Sequence, residues 1–332
     1  MHKMDRINEC LDVYRAWCNK VGIHNIEDVN NLIRAGRSDY LINLSETWQE
    51  QNISKMAYDI HSNIEKRKII LISGPSGSGK TSLSRRLQLH LQVLGIHSIP
   101  ISLDDYYIDI KDMPLDDFGK PDFETPESIN YSRFNSDISK LITGDRIYIP
   151  KFDFDKGVRI ENHKEIVLEK DAVIIAEGLH ALNPKFADNI PNEYKYKIYC
   201  SALTALSCGD GIKIRSRTTR LIRRLIRDYF FRKSDYAFTF SLWPNQELGT
   251  ERYIFPFTDS ADVIFNSSLL YEFAVYKKYL NKVLEGADND EQYGDKVREL
   301  KALVNSFDDL DRDLTPRFSI IREFTGGSAL DI

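Results

Sequence analysis

One stretch of this 332-residue sequence has residue types and a spacing that suit phosphate chemistry. It follows a short apolar run at residues 69–72 and precedes a stretch with leucines at helical spacing. Its glycines would turn backbone N–H groups towards phosphate oxygens, and the following helix would add its positive N-terminal end. The stretch matches the Walker A pattern in full, in the strand-to-helix context that the motif requires. It reads Gly74-Pro75-Ser76-Gly77-Ser78-Gly79-Lys80-Thr81.

This loop predicts binding of ATP or GTP. Lys80 is expected to reach the β- and γ-phosphates, and the Thr81 hydroxyl is expected to bind Mg²⁺. The alternative is a glycine-rich loop that only turns the chain, and the matching strand-to-helix context disfavours it. The residues that we assign to ATP binding in this stretch are Gly74, Ser76, Gly77, Ser78, Gly79, Lys80, Thr81 and Ser82.

Three carboxylates follow predicted strands. Asp104 and Asp105 come at the end of the run 96–103, and Glu177 directly follows the apolar run 172–176. Because ligands bind at the carboxyl ends of parallel strands, Asp104 would face a transferred phosphoryl group and could act as a base. Asp105 suits an N-cap or turn role. Glu177 would hold Mg²⁺ directly or through water, unless it only marks the exit of its strand.

Four arginines, Arg220, Arg223, Arg224 and Arg227, are spaced to lie on one face of a predicted helix. A charge run is usually a solvated face. Arginines without interleaved acids repel one another, however, unless an anion meets them. The pattern therefore predicts a lid helix that closes on the phosphates of ATP, and Arg232 could extend it.

The elements that must position these residues alternate between strand and helix from Lys68 onward. Such alternation predicts an α/β fold with a parallel, doubly wound sheet. Alternating residues around Gly157 predict a hairpin laid over the sheet. Helical periodicity without strand patterns predicts an N-terminal helical accessory segment at residues 1–66, and the phosphate-binding domain would then span 67–332. The predicted strands are 69–72, 96–103, 172–176, 196–199 and 263–265.

Composition excludes several classes of protein. The chain is 42% hydrophobic and 29% charged, with a net charge of −5, which disfavours disorder and a general affinity for nucleic acid. No apolar run approaches the roughly 18 residues of a membrane span, and charges come too early for a signal peptide. The four cysteines contain no CxxC pair and predict reduced thiols. We therefore expect a cytoplasmic protein with a small-molecule substrate and neither nucleic acid nor membrane as partner; homo-oligomer formation is left open.

Several motifs occur in the order of a known family, and together they resemble the uridine kinase/phosphoribulokinase family. The similarity extends over nearly the whole chain to the uridine kinase-like nucleoside kinase group, through segments such as Arg227-Asp228-Tyr229 and Ile254-Phe255-Pro256-Phe257. Further segments are the Walker A loop, Ser102-Leu103-Asp104-Asp105-Tyr106-Tyr107, Asp122-Phe123-Glu124, Pro150-Lys151-Phe152-Asp153-Phe154, Glu177-Gly178, Thr219-Arg220-Leu221-Ile222-Arg223-Arg224 and Arg322-Glu323-Phe324-Thr325-Gly326-Gly327-Ser328.

The resemblance implies a P-loop NTPase-type fold with a β-hairpin, an arginine-rich lid helix and an N-terminal helical segment. It further implies an ATP- and Mg²⁺-dependent kinase that acts on a primary hydroxyl of a ribose-type substrate. By position, Asp104 corresponds to the catalytic base. The resemblance places Tyr107, Glu124, Phe152 and Arg224 at the nucleoside, with Glu124 replacing a shorter aspartate, and Arg227 and Arg232 at the phosphates of ATP.

One departure leaves the acceptor open. Uridine kinases usually carry a base-reading histidine in the hairpin, where this chain has Gly157. His180 gives a motif closer to phosphoribulokinases, either as a substrate contact or as a packed side chain. The most favoured acceptor is uridine or cytidine. The alternatives are another ribose-like sugar or a sugar phosphate, whose far end Lys156 and Arg159 could meet, and a non-catalytic ATP-binding switch.

Overall fold

A five-stranded parallel sheet forms the centre of the structure, a computed structural model that describes residues 5–207 and 213–332. The strands are β1 (Ile69–Ser73), β2 (Ser98–Ser102), β3 (Ile147–Asp153), β4 (Val158–Ile166), β5 (Val173–Glu177), β6 (Lys195–Ser201) and β7 (Val263–Asn266). The order in the central sheet is β2-β5-β1-β6-β7, and every pair is parallel. The predicted α/β fold with a doubly wound parallel sheet is confirmed.

Helices cover both faces of this sheet. They are α1 (Asp5–Val21), α2 (Ile26–Arg34), α3 (Ser38–Ser62), α4 (Lys80–Val93), α5 (Tyr131–Ile142), α6 (Ser216–Arg232), α7 (Tyr236–Gly249), α8 (Glu272–Val283), α9 (Gly294–Asn305) and α10 (Ile321–Thr325). Because successive strand residues point to opposite faces, Ile70 and Ile72 pack with α3 and α4, whereas Ile69 and Leu71 pack with α5. In the part of the chain that the structure describes, none of the helices combines the length and apolar character needed to cross a membrane.

The N-terminal helices pack directly onto the sheet domain. Ile53, Met56 and Ile60 of α3 share a hydrophobic core with Leu83 and Leu87 of α4. At the edge of the sheet, α1 contacts β7, where the Cys10 thiol donates to a backbone carbonyl at 3.6 Å. The domain boundary at residue 66 stays a prediction. Cys10, Cys18 and Cys200 are free thiols, whereas Cys208 lies outside the described residues.

The predicted hairpin is present as the antiparallel pair β3 and β4, apart from the central sheet. Its turn ends at Gly157, whose backbone N–H donates to the Asp153 carbonyl at 2.7 Å. Gly157 has φ +67°, and a Cβ there would lie 2.5 Å from Cδ1 of Ile110. The turn therefore requires glycine both for its backbone conformation and for its close contact with Ile110.

A buried ion pair joins α6 to α8 behind the phosphate-binding loop. The Arg223 guanidinium donates to one carboxylate oxygen of Glu272 at 2.8 and 2.9 Å, and both side chains are fully buried. Arg223 also donates to the Gly77 carbonyl at 3.2 Å and to the Ser267 carbonyl at 3.0 Å. Arg220 similarly pairs with Glu247 at 2.5 Å. The sequence predicts that the phosphates of ATP meet this arginine face, and for Arg220 and Arg223 that is wrong, because carboxylates of other elements pair with them.

We expect Glu272→Ala to destabilise the fold by about 3–5 kcal/mol, because Arg223 would keep its charge in the interior without a partner. Urea unfolding followed by circular dichroism measures this loss. The matched control is Glu285→Ala, which removes an exposed pair with Lys282 and is expected to cost less than about 1 kcal/mol. Equal losses in the two variants would contradict the importance of the buried pair.

Candidate active site

The carboxyl ends of β1, β2 and β5 open onto a cavity of about 330 Å³. Its walls come from the phosphate-binding loop, the segment between β2 and α5, the C-terminal half of α6, and α7. The structure thus brings together parts of the chain that are up to about 250 positions apart. The predicted site residues that line this cavity are Ser76, Gly77, Gly79, Lys80, Thr81, Asp104, Tyr107, Glu124, Glu177, Arg224, Arg227 and Arg232.

Four predicted site residues do not line the cavity. Gly74 lies against the backbone of Cys200, and Ser78 is fully buried, with its carbonyl accepting from the Cys200 thiol at 3.2 Å. Ser82 is held by a carboxylate, as described below. Phe152 is buried behind Tyr107, with ring centroids 5.5 Å apart. Their assigned roles in binding stay predictions.

The phosphate-binding loop ends at Gly79, which precedes the first turn of α4 and has φ +89°. A side chain at this position would overlap the side chain of Ile320, so that glycine alone fits. Gly79 offers no side chain to cap α4, so the N–H groups of Lys80 and Thr81 can bind an anion, whereas the Ser82 N–H already donates to Glu323. The Lys80 ammonium lines the cavity and donates to the Pro75 carbonyl at 3.4 Å. This end of the cavity has the donors that a phosphate group needs.

Asp104 and Glu177 lie side by side at the ends of neighbouring strands. The Ser102 hydroxyl links them, since it accepts from the Asp104 N–H at 3.3 Å and donates to Glu177 Oε1 at 3.5 Å. Burial raises the pKa of Glu177 to about 7, and the nearby Lys80 charge opposes this shift. Burial likewise raises the pKa of Asp104, again against the charge of Lys80. These carboxyl groups can therefore exchange protons closer to neutral pH than ordinary carboxyl groups do.

Three arginines surround one carboxylate at the phosphate end. Asp228 meets Arg224 Nε at 3.0 Å, Arg227 Nε at 3.5 Å and Arg232 Nη1 at 3.6 Å. The neighbouring Arg227 guanidinium lowers the pKa of Arg232 to about 10, as expected where positive charges outnumber negative ones. This cluster leaves two uncompensated positive charges beside Lys80, and polyphosphate is the kind of ligand that would compensate them.

The opposite end of the cavity is acidic and aromatic. Glu124 is almost fully buried there, and burial raises its pKa to about 7 against the charge of Arg224. The Tyr107 hydroxyl donates to the Phe123 carbonyl at 2.9 Å. The rings of Phe123 and Phe154 also line this end, stacked with centroids 6.4 Å apart. Such walls suit an uncharged group with hydroxyls and a flat ring.

The sequence assigned no role to ten of the residues that line this cavity, and three polar ones among them are Glu323, Asn245 and Gln246. Glu323 of α10 lines it beside Thr81, and its Oε2 accepts from the Ser82 N–H at 3.1 Å and from the Ser82 hydroxyl at 2.7 Å. Asn245 and Gln246 of α7 also line it. The C-terminal segment containing Glu323 carried the family resemblance but no assigned role. Nothing in the spacing of the two amides indicates a site.

His180 does not line the cavity. It is fully buried, and its ring stacks on Phe186 with centroids 6.2 Å apart. Burial lowers its pKa to about 4 and thereby keeps it neutral. Of the two alternatives from the sequence, the structure favours the packed side chain.

Comparison with known proteins identifies relatives over the same region. The model of the Phosphoribulokinase / Uridine kinase family matches residues 69–270. A uridine kinase of Halobacterium salinarum is 28% identical over 125 residues, which are 38% of this chain and 53% of that protein. A uridine kinase of Borrelia garinii subsp. bavariensis is 28% identical over 227 residues, which are 67% of this chain and 98% of that protein. The chain thus spans about half the length of the first relative and nearly all of the second.

A solved structure from Silicibacter sp. TM1040, named for a fructose transport system kinase, is also similar. It is 18% identical, with a TM-score of 0.45, and the match covers 64% of this chain and 98% of that chain.

Burial of Glu124 predicts a pH-dependent cost to stability. Between about pH 4.3 and pH 7 the unfolded chain ionises this group while the folded protein keeps its proton, so stability falls as the pH rises. Between pH 5 and pH 8, the free energy of unfolding of the unaltered protein is expected to fall by up to about 3 kcal/mol more than that of the Glu124→Gln variant. Urea unfolding at the two pH values measures the difference. The control is Glu251→Gln at an exposed position, whose free energy of unfolding should change with pH as it does in the unaltered protein. If Glu124→Gln showed that same change with pH, the prediction would be contradicted.

Proposed function

The chain belongs to the phosphoribulokinase/uridine kinase family, and from that premise we propose that it transfers the γ-phosphoryl group of ATP to the 5′-hydroxyl of a nucleoside. Uridine and cytidine are the favoured acceptors. The observation that carries this proposal is the division of one cavity into two ends. One end is cationic beside the phosphate-binding loop, and the other is acidic with aromatic walls.

This division supports an uncharged acceptor over a sugar phosphate. Lys156 and Arg159, which a phosphorylated acceptor would need, do not line the cavity and pair instead with Asp153 at 3.3 Å and Glu161 at 2.7 Å. Lys120 does line the acidic end, close in the chain to Asp116. If a second phosphate lay beside Glu124, the carboxylate would repel it once ionised, above about pH 7.

The proposed reaction is an in-line phosphoryl transfer. Asp104 orients the 5′-hydroxyl and takes its proton as the new bond from oxygen to the γ-phosphorus forms. The bond between the γ-phosphorus and the bridging oxygen breaks, and ADP leaves with that oxygen. Lys80, Arg227 and Arg232 balance the negative charge on the transferring group and on ADP. The raised pKa of Asp104 suits a base that works near neutral pH.

The residues present fit Mg²⁺ as the accompanying ion. The Thr81 hydroxyl and the Glu177 carboxylate are hard oxygen donors on the same cavity wall. Within residues 5–207 and 213–332, no group of three or more His, Cys, Asp or Glu side chains could hold a metal. Phosphate oxygens and water would therefore complete the coordination, as is usual for Mg²⁺ at nucleotides. The ion would supply additional positive charge at the β- and γ-phosphates.

Release of ADP from ATP and Mg²⁺ tests this function. The acceptors are uridine, cytidine, purine nucleosides, ribose and ribulose 5-phosphate, with each product confirmed by mass. Turnover of pyrimidine nucleosides is expected. Turnover of only a sugar or sugar phosphate would show that the acceptor is that compound and not a nucleoside. ATP binding without any phosphoryl transfer would favour a non-catalytic switch.

Two variants test the assigned roles. We expect Asp104→Asn to lower kcat at least about 100-fold while ATP still binds, because the variant lacks the base but keeps the phosphate-binding loop. Lys80→Ala is expected to abolish turnover, because the γ-phosphate loses its closest cation. The control is Asp105→Asn, since that neighbouring carboxylate does not line the cavity. Near-normal turnover by the Asp104→Asn variant would show that Asp104 is not the base.

A further inference from the structure

The hairpin of this chain offers no hydrogen-bonding side chain to an acceptor at Gly157, where one would be expected, although the apolar ring of Phe154 in the same turn lines the cavity. Gly157 has none, and Ile110 fills the space that a Cβ would need. The Ile110 N–H also donates to the Gly157 carbonyl at 2.9 Å, so that the hairpin tip is occupied by contacts within the protein. The polar edge of an acceptor must therefore meet residues of another element.

Helix α7 forms one wall of the cavity. Arg220 of α6 fixes it, since its guanidinium lies 5.3 Å from the ring centroid of Trp243 and pairs with Glu247 at 2.5 Å. Trp243 and Glu247 are one turn apart and share a face of α7. Asn245 and Gln246, which lie between them in the chain, line the cavity.

A chain of contacts shows the order of groups along the cavity. From the phosphate-binding loop, the Ser76 hydroxyl accepts from Arg224 Nη1 at 2.8 Å. Because a guanidinium only donates, the amide oxygen of Gln246 must face Arg224, at 2.7 and 2.8 Å from its two terminal nitrogens. The next residue, Asn245, donates through Nδ2 to Asp122 Oδ1 at 3.1 Å. Asp122 directly precedes Phe123 of the aromatic walls, so Asn245 lies at the ring-binding end and Gln246 lies nearer the phosphates.

The orientation of the Asn245 amide is fixed by its partner. A carboxylate only accepts hydrogen bonds, so the amide NH₂ must face Asp122. Asp122 is itself buried and held by the Glu124 N–H, which donates to it at 3.0 Å. The carbonyl oxygen of Asn245 accepts no hydrogen bond from the described residues. It is left as an acceptor at the cavity wall, and its complement is an N–H group on the ligand.

We propose that Asn245 selects the acceptor by accepting a hydrogen bond from an N–H group of its base, such as N3–H of uracil or the amino group of cytosine. This inference rests on the proposed nucleoside kinase function. Gln246 is a positioning residue in the same site, because it holds the Arg224 guanidinium towards the middle of the cavity. Helix α7 thereby supplies the hydrogen-bonding recognition of the base for which Gly157 has no side chain.

The test compares uridine with 3-methyluridine, which lacks the N3–H donor. The unaltered protein is expected to prefer uridine by about tenfold or more in kcat/KM, the value of roughly one hydrogen bond. Asn245→Leu should lose this preference, because kcat/KM falls for uridine and stays nearly unchanged for 3-methyluridine. A purely structural role of Asn245 would lower both values by the same factor and leave the ratio intact.

Two further variants keep the test decisive. Asn245→Ser retains a hydroxyl donor for Asp122 but removes the carbonyl, and it should also lose the preference if Asn245→Leu fails to fold. Gln246→Leu should raise the KM for uridine and for 3-methyluridine by the same factor. Gln246→Glu, which keeps an acceptor for Arg224, should return both KM values to those of the unaltered protein. The control Asn63→Leu makes the same change as Asn245→Leu at an exposed position after α3 and should preserve the ratio.

The outcomes separate this inference from the function on which it rests. If no nucleoside were turned over, the proposed function would be overturned, and the proposal that Asn245 selects the base would be overturned as well. Nucleoside turnover without a preference for uridine over its methylated analogue would overturn the role of Asn245 alone. An unchanged preference in both Asn245 variants would overturn it as well. Loss of the preference in Asn245 variants, with the control unchanged, would support it.

Discussion

The phosphate-binding loop can present its N–H groups to a ligand only if its carbonyl groups find donors on the other side. Arg223 supplies such donors, since its Nη1 lies 3.2 Å from the Gly77 carbonyl in a region without solvent access. A buried arginine in turn requires a carboxylate, and Glu272 of α8 provides it. The loop, the lid helix α6 and the helix after β7 are therefore held by one guanidinium. The anion site in front of the loop depends on a cation behind it.

The same separation of charge extends along the cavity. Three arginines around Asp228 leave excess positive charge at one end, while Glu124 at the other end is an acid whose pKa burial raises to about 7. Keeping that acid in the interior costs folding stability, and the cost grows from about pH 4.3 until it is complete near pH 7. A cost of this kind is typical of a binding site, where a group is held for its contact with a ligand rather than for the fold. Glu323 adds a further carboxylate next to Thr81, so this end of the cavity carries acidic groups as well as cationic ones.

Local patterns were sufficient to predict the strands, the hairpin and the Walker A loop. The apolar runs are short and bounded by glycine or charge, and the loop motif spans only eight residues. The inward direction of Arg223 could not be predicted in this way. Helical spacing places four arginines on one side of α6, but it does not say that Glu247 and Glu272 of other helices meet two of them. The amides of α7 were missed for a related reason, because their neighbours Asp122 and Arg224 lie far away in sequence.

The proposed recognition of the acceptor by α7 would also link the two substrates mechanically. Arg220 fixes α7 to α6, and α6 carries Arg224 and Arg227 at the phosphate end. A side chain on the hairpin would sit on a separate two-stranded sheet, joined to the lid helix by no ion pair among the described residues. Asn245 and Gln246 instead belong to the unit that balances the phosphate charge. Movement of α6 towards ATP would therefore move Asn245 and Gln246 as well. Binding of the acceptor to these two amides would in turn favour the same position of Arg224 and Arg227.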